Sequence, residues 1–149
     1  MKKYLSKVLI ALFVGAVLLG AVAWYQNSKL QAGSKSIEIT MIIDNEDGPE
    51  TIYEKTIRTD AVKLGDLLDE MVEDKKIEME TSGSKTDPYG RMLVSIEGYA
   101  TTDFNAGPWW LISSSNNADC VAAGFCSGID LAPIYDKDEF TFLLSSSFE

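Results

Sequence analysis

Eighteen consecutive residues, Val8 to Tyr25 (VLIALFVGAVLLGAVAWY), carry neither a charge nor a strongly polar side chain, and Lys2, Lys3 and Lys7 stand just before them. A run so long and so uniformly apolar must meet a membrane. As a helix rising 1.5 Å per residue it would be about 27 Å long, close to the ~30 Å hydrocarbon layer, with Trp24 and Tyr25 at the depth of an interfacial aromatic belt. An uncleaved anchor contacting the membrane through residues 8–25 is one reading. A cleaved secretory signal is the other, because Ala21-Val22-Ala23 offers the small residues that a peptidase site requires. The run ends without a cysteine, which removes a lipobox-type lipid anchor. Both readings make residues 1–26 a signal anchor or signal peptide. Lysines ahead of the run place everything after Gln26 outside the cytoplasm, as a secreted or cell-membrane-anchored protein whose N-terminus is cytoplasmic if the segment is kept.

The remainder of the chain is strongly acidic. Beyond residue 34 there are nine basic against 23 acidic residues, a net −14. Such a body repels phosphate backbones and anionic headgroups, so nucleic acid is not an expected partner. Histidine is absent from all 149 residues. That removes Ser-His-Asp and Cys-His catalysis, His-containing zinc sites and histidine pH switches. With no nucleophile motif and no phosphate-cradling glycine loop either, neither an enzyme nor a cofactor is expected.

Residues 27–36 (NSKLQAGSKS) are small and polar and read as a flexible stalk, which leaves 37–149 for one folded domain. Ile37, Ile39, Met41 and Ile43 alternate as in a strand with one buried face. The turn formers of DNEDGP (44–49) and a second alternating run, TIYEKTIRT (51–59), predict a hairpin. Asp60 is a candidate cap for a helix whose apolar positions Leu64, Leu67, Leu68, Met71 and Val72 share one face. Short strands are expected over 77–81, over 89–97 with Met92, Val94 and Ile96 inward, over 108–113 and over 139–145. One helix among about six strands makes an α+β domain.

The order of these elements, with GRMLVSIEGY (90–99), GPWWLISSSNN (107–117) and GIDLAPIYDKDEFTF (128–142), resembles the transcobalamin-like C-terminal domain, the β-domain of cobalamin carriers, which also occurs on Gram-positive cell surfaces. The resemblance spans roughly Ile37 to Leu144. It implies a β-grasp-like domain with one helix packed on a mostly antiparallel sheet, here preceded by an N-terminal hydrophobic helix. It also implies a soluble ligand, a corrinoid or similar small molecule. The chain departs from the family where Ser113–Asn117 and a longer cysteine-bearing loop replace a Val-Asn-Gly turn, and where Asp136-Lys137-Asp138 replaces Asp-Gly-Asp.

Three groups of residues could carry chemistry. Cys120 and Cys126, spaced C-x₅-C with Gly124 between them, are expected to form a disulfide outside the cytoplasm, against two free buried thiols or a pair kept reduced. Trp109 and Trp110 are neighbours on a strand and so point to opposite faces. One of them, with Tyr99, Tyr135, Ser113, Ser115 and Asn116, would line a ligand-facing rim; the plain alternative is that the chain covers both rings itself. Asp136, Asp138 and Glu139 could supply some of calcium's six to eight oxygens, but they match no EF-hand loop and read as a solvated hairpin turn, so no metal is expected.

The functional expectation is an extracytoplasmic, non-catalytic ligand-binding domain. A cell-surface protein-interaction or adhesion module is the alternative. A carboxylate-based hydrolase is a weaker third, because so many acids make some close pair inevitable.

Overall fold

A computed structural model describes residues 15–22 and 33–147. The chain divides into two compact units, Met1–Ala32 and Gly33–Glu149. In the first, residues 15–22 are helical. Among the described residues no helix is long and apolar enough to cross a membrane. The rest of the 8–25 segment, and the stalk as far as Ala32, lie outside the described residues.

The second unit is α+β. Its elements are β1 (Lys35–Asn45), β2 (Gly48–Thr59), α1 (Leu64–Glu73), β3 (Met79–Ser82), β4 (Met92–Ile96), β5 (Tyr99–Ala100), β6 (Trp109–Ser113), α2 (Ala118–Ala123) and β7 (Glu139–Ser145). A four-stranded sheet runs in the order β2-β1-β7-β6, and a three-stranded sheet in the order β3-β4-β5. The β1–β2 hairpin and the β6–β7 pair are antiparallel, whereas β1 and β7 run parallel, so the larger sheet is mixed.

Side-chain alternation explains that pairing. Ile39, Met41 and Ile43 lie opposite Phe140, Phe142 and Leu144 in the parallel register, and all six are buried. A slip of one residue would turn every one of them to water, so the apolar set holds the register. Leu64, Leu67, Leu68 and Met71 of α1 are fully buried in the same apolar cluster, which bears out the expected helical stripe.

The start of α1 departs from expectation. Asp60 does not cap it; its carboxylate accepts hydrogen bonds from the Ser34 amide and hydroxyl, both at 2.8 Å. Residues 60–63 instead approach the 129–133 segment. The Leu64 and Gly65 amides donate to the Ala132 and Ile129 carbonyls at 2.9 and 2.8 Å, so backbone from a distant turn satisfies amides that a side-chain cap would serve.

Two further expectations are corrected. In β4 Ile96 is buried as expected, but Leu93 and Ser95 are buried too, while Met92 is 56% exposed. Alternation favours the Met92, Val94, Ile96 face over Leu93 and Ser95, but the strand is short and an irregularity between Glu80 and Thr81 shifts its pairing with β3. The cysteine loop also contains a helix, α2. Asn117 caps it by accepting from the Cys120 amide, and Gly124 ends it in the left-handed region at φ 80°.

Candidate functional site

Strand β6 decides which tryptophan faces inward. Trp110 and Ile112 lie opposite Leu144 and Phe142, on the core face, and Trp109 and Leu111 point the other way. The Trp110 indole N–H donates to the Tyr99 carbonyl at 3.0 Å. The Trp109 indole donates to the Phe104 carbonyl at 3.1 Å, and its ring lies so close to Gly107 that an added Cβ would come within 2.9 Å of it. The chain's own 101–107 loop thus packs on Trp109.

Between the start of β4, strand β6 and the 128–129 segment is a cavity of about 240 Å³. Trp110, Ile112, Leu93 and Ile129 line it, together with Tyr89, Gly90, Arg91, Met92 and Gly128. Tyr89 and Met92 are exposed, and Trp110 and Ile129 are buried. A larger hollow of about 590 Å³ beyond the end of α1 is edged by the exposed, charged Lys75, Lys76, Glu78 and Glu97 and contains no aromatic ring. The smaller cavity has the apolar, aromatic lining that a binding site uses.

Its wall is fixed by charge. The Arg91 guanidinium grips Asp130 through Nε (3.0 Å) and Nη2 (2.8 Å), and Asp69 through Nη1 (2.8 Å) and Nη2 (3.2 Å). The Arg91 amide adds a bond to Asp130 at 2.8 Å, and Lys85 reaches Asp69 and Asp66 at 2.6 and 2.9 Å. Hydrogen bonds from Arg91 outweigh burial and hold the Asp130 carboxyl below the usual carboxylate range. Burial alone would raise Asp69, but the hydrogen bonds from Arg91 and Lys85 prevail and it too is lowered. Small residues permit the approach. A Cβ on Gly90 would come within 2.8 Å of the Asp130 Cβ, and one on Gly128 within 2.5 Å of the Tyr89 carbonyl oxygen. Gly90-Arg91 and Gly128-Ile129-Asp130 therefore interlock.

Of the residues expected at a rim, only Trp110 lines this cavity, with Tyr99 tied to it through the indole bond. Ser115, Asn116 and Tyr135 are engaged elsewhere. Ser115 donates to a Glu139 carboxylate oxygen at 3.2 Å; Asn116 accepts from the Glu139 amide and donates to the Lys137 carbonyl, both at 2.8 Å. Tyr135 donates its phenolic hydrogen to Asp119 at 2.8 Å, and the carboxylate holding that proton raises its pKa. Ser113 lies at the exposed end of β6 on the face opposite Ile112. Tyr89, Arg91, Met92 and Ile129 complete the site. The glycines at 90 and 128 were the sequence's signal of close backbone approach there.

A disulfide joins Cys120 and Cys126, with Cα atoms 4.4 Å apart. Replacing both cysteines with serine is expected to lower stability by about 2–3 kcal/mol, the loop-closure value for so short a ring. Chemical denaturation of the full chain, with the reduced wild type as comparison, measures this directly.

The acidic turn is solvated at Asp136 and Glu139, as expected, but not at Asp138. Asp138 is buried, accepting from Asn117 Nδ2 at 2.5 Å and from the Tyr135 amide at 2.9 Å, so it ties the cap of α2 to the approach to β7. Among the described residues no group of three or more Cys, Asp or Glu side chains is placed to hold a metal ion.

No family model matches the chain, and no curated protein does. A solved structure from Ruminococcus gnavus ATCC 29149, described as a "putative metal binding protein", is similar at a TM-score of 0.51 and 20% identity. The match covers 77% of this chain and all of that one. At that identity the likeness is one of fold.

Proposed function

We propose that this chain is an extracytoplasmic, non-catalytic binding domain, related in layout to the transcobalamin-like C-terminal domain, and that its recognition site is the Trp110 cavity. The carrying observation is an apolar cavity whose aromatic floor is buried and whose mouth, Tyr89 and Met92, is open to solvent. A hairpin followed by a helix, with the last strand parallel to the first in the middle of the larger sheet, supports the β-grasp reading. The disulfide supports an oxidising location, in keeping with export by an N-terminal signal anchor or signal peptide.

The ligand that the resemblance suggests is a corrinoid or similar flat molecule. At about 240 Å³ the cavity is below the ~300–1,000 Å³ usual for enclosing a drug-sized ligand, so it would take one edge of such a molecule while Tyr89 and Met92 lie against its face. No histidine is present to ligate cobalt. Titrating the full chain with cobalamin is expected to quench tryptophan emission, and Tyr89→Ser with Met92→Ser to weaken binding by about 1–3 kcal/mol. A folded protein that gives neither quenching nor calorimetric heat at high micromolar ligand would overturn the corrinoid reading. A second reading, a surface module that binds protein, is favoured by the apolar side chains exposed around the cavity.

A further inference from the structure

The larger hollow beyond the end of α1, at about 590 Å³, is within the range of clefts that hold a small molecule. Val72, Ile77 and Met79 form its apolar part, Ile77 buried and the other two half-buried. Charges of both signs stand at its edge. Lys76 is engaged with Asp74 at 3.3 Å, whereas the Lys75 ammonium has no partner among the described residues. Glu97 is held in place: one of its carboxylate oxygens accepts from the Glu78 amide at 2.7 Å, and its own amide donates to the Glu78 carbonyl at 2.9 Å. Its other carboxylate oxygen and the whole Glu78 carboxylate have no partner among the described residues.

Two of these charged residues occupy backbone positions that suit other residues better. Among the described residues three besides glycine have a positive φ, and two of the three, Lys75 at 55° and Glu97 at 51°, edge this hollow. Glycine takes the left-handed region without steric cost; lysine and glutamate do not. Lys75 follows the C-cap Asp74, where helices favour glycine, and Glu97 opens the Glu97-Gly98 turn between β4 and β5, where asparagine is the favoured residue. Strain of this kind gathers where a side chain serves a ligand. Close to Glu97 there is also an unmet donor. The Tyr53 hydroxyl is buried with no hydrogen-bond partner, and burial, followed by the charge of Glu97, raises its pKa.

A simple anion would meet Glu78 and Glu97 here, and a simple cation would meet Lys75, so a ligand of one sign is opposed by half of the edge. We propose that the hollow is a second site, separate from the Trp110 cavity, that takes a small zwitterion, an ammonium and a carboxylate on an apolar body, as in a free amino acid or a short peptide. Lys75 meets the carboxylate, Glu78 and Glu97 meet the ammonium, and Val72, Ile77 and Met79 cover the apolar part. The left-handed backbone at Lys75 and Glu97 is then the cost of keeping both charges at the edge.

The test is calorimetric titration of the full chain in nonionic detergent with leucine, with the dipeptide Leu-Leu, and with Leu-Leu blocked as its N-acetyl or its C-terminal amide form. Leucine or the free dipeptide should bind, and the tighter of the two identifies the source of the zwitterion. The free dipeptide should bind about tenfold more tightly than either blocked form. Lys75→Gly and Glu97→Asn each remove one charge and put in a residue that suits a left-handed backbone. Each should weaken the zwitterion about tenfold while melting at or above the wild-type temperature, whereas charges that serve only solvation would give the stability change without the loss of binding. Tyr89→Ser with Met92→Ser, at the mouth of the other cavity, should leave zwitterion binding unchanged. No heat from leucine or the dipeptide with the protein folded, equal binding of the blocked forms, wild-type affinity in both variants, or loss of zwitterion binding on the Tyr89 and Met92 substitutions would each overturn the proposal. If a variant melts early, the comparison of free and blocked dipeptides on the wild type still decides. The outcome with cobalamin is independent, so either site can fail while the other stands.

Discussion

Replacing Arg91 with leucine is expected to lower the stability of the folded domain by about 3–5 kcal/mol at neutral pH, the cost of leaving partly buried carboxylates without their counter-charge. The Asp130 side chain is only 4% exposed and receives three bonds of 3.0 Å or less from Arg91, counting the amide; Asp69 is 30% exposed and receives one. Leucine keeps the backbone amide but supplies no side-chain donor, so Asp130 loses both guanidinium bonds and must stay charged with that one partner in an apolar setting or take up a proton. The pH dependence arises from the depressed carboxyls. A group whose folded pKa is lowered contributes stability above its unfolded value, about 4 for aspartate, and loses it as pH falls through the folded value. The gap between wild type and variant should therefore be full at pH 7 and narrow below about pH 4. Denaturant unfolding of both proteins across that range measures it. A gap independent of pH would assign the loss to packing around the guanidinium instead.

Phe142→Ala should cost a similar ~3–5 kcal/mol by a different route. Phe142 is fully buried on the central strand β7, opposite Met41 on one side and Ile112 on the other. Truncation leaves a cavity beneath the buried face of the larger sheet, and the hydrogen bonds that hold β7 to β1 and β6 keep the strand from moving in to fill it. This loss, unlike that at Arg91, should persist at all pH values at which the protein folds. Phe104→Ala is the control: its ring is about half exposed, so the change should stay within roughly ±0.5 kcal/mol. Because Ile112 also lines the cavity, Phe142→Ala should loosen the site as well, seen as weaker binding of whichever probe the wild type accepts.

The local elements were readable in the sequence where one period was unambiguous. Ile37, Ile39, Met41 and Ile43 could only be a half-buried strand, and Leu64, Leu67, Leu68 and Met71 only one face of a helix, because in each case the alternative period scatters the apolar side chains into water. The disulfide was also legible, from spacing and from the export that the N-terminal run implies. Helix α2 was legible in principle, since Asn117 and Gly124 bracket it as cap and terminator, although its short length gave periodicity nothing to work on.

Tertiary structure decided the rest. The alternation of MLVSI favoured Met92 over Leu93 as the inward residue, and the shifted pairing with β3 overrode it. Neighbouring tryptophans must diverge, yet which of them is inward was set by the register of β6 on β7, a choice made by residues some thirty positions away in the chain. Asp60 carried the local signature of a cap, but Ile129 and Ala132 supplied the carbonyls and left it to hold Ser34. The cavity exists only because Gly90 and Gly128 let two distant loops close and Arg91 locks them through Asp130. Contacts between segments remote in sequence leave no period to read, and they are what placed Trp110 at the floor of the site and Trp109 on the opposite face of the sheet.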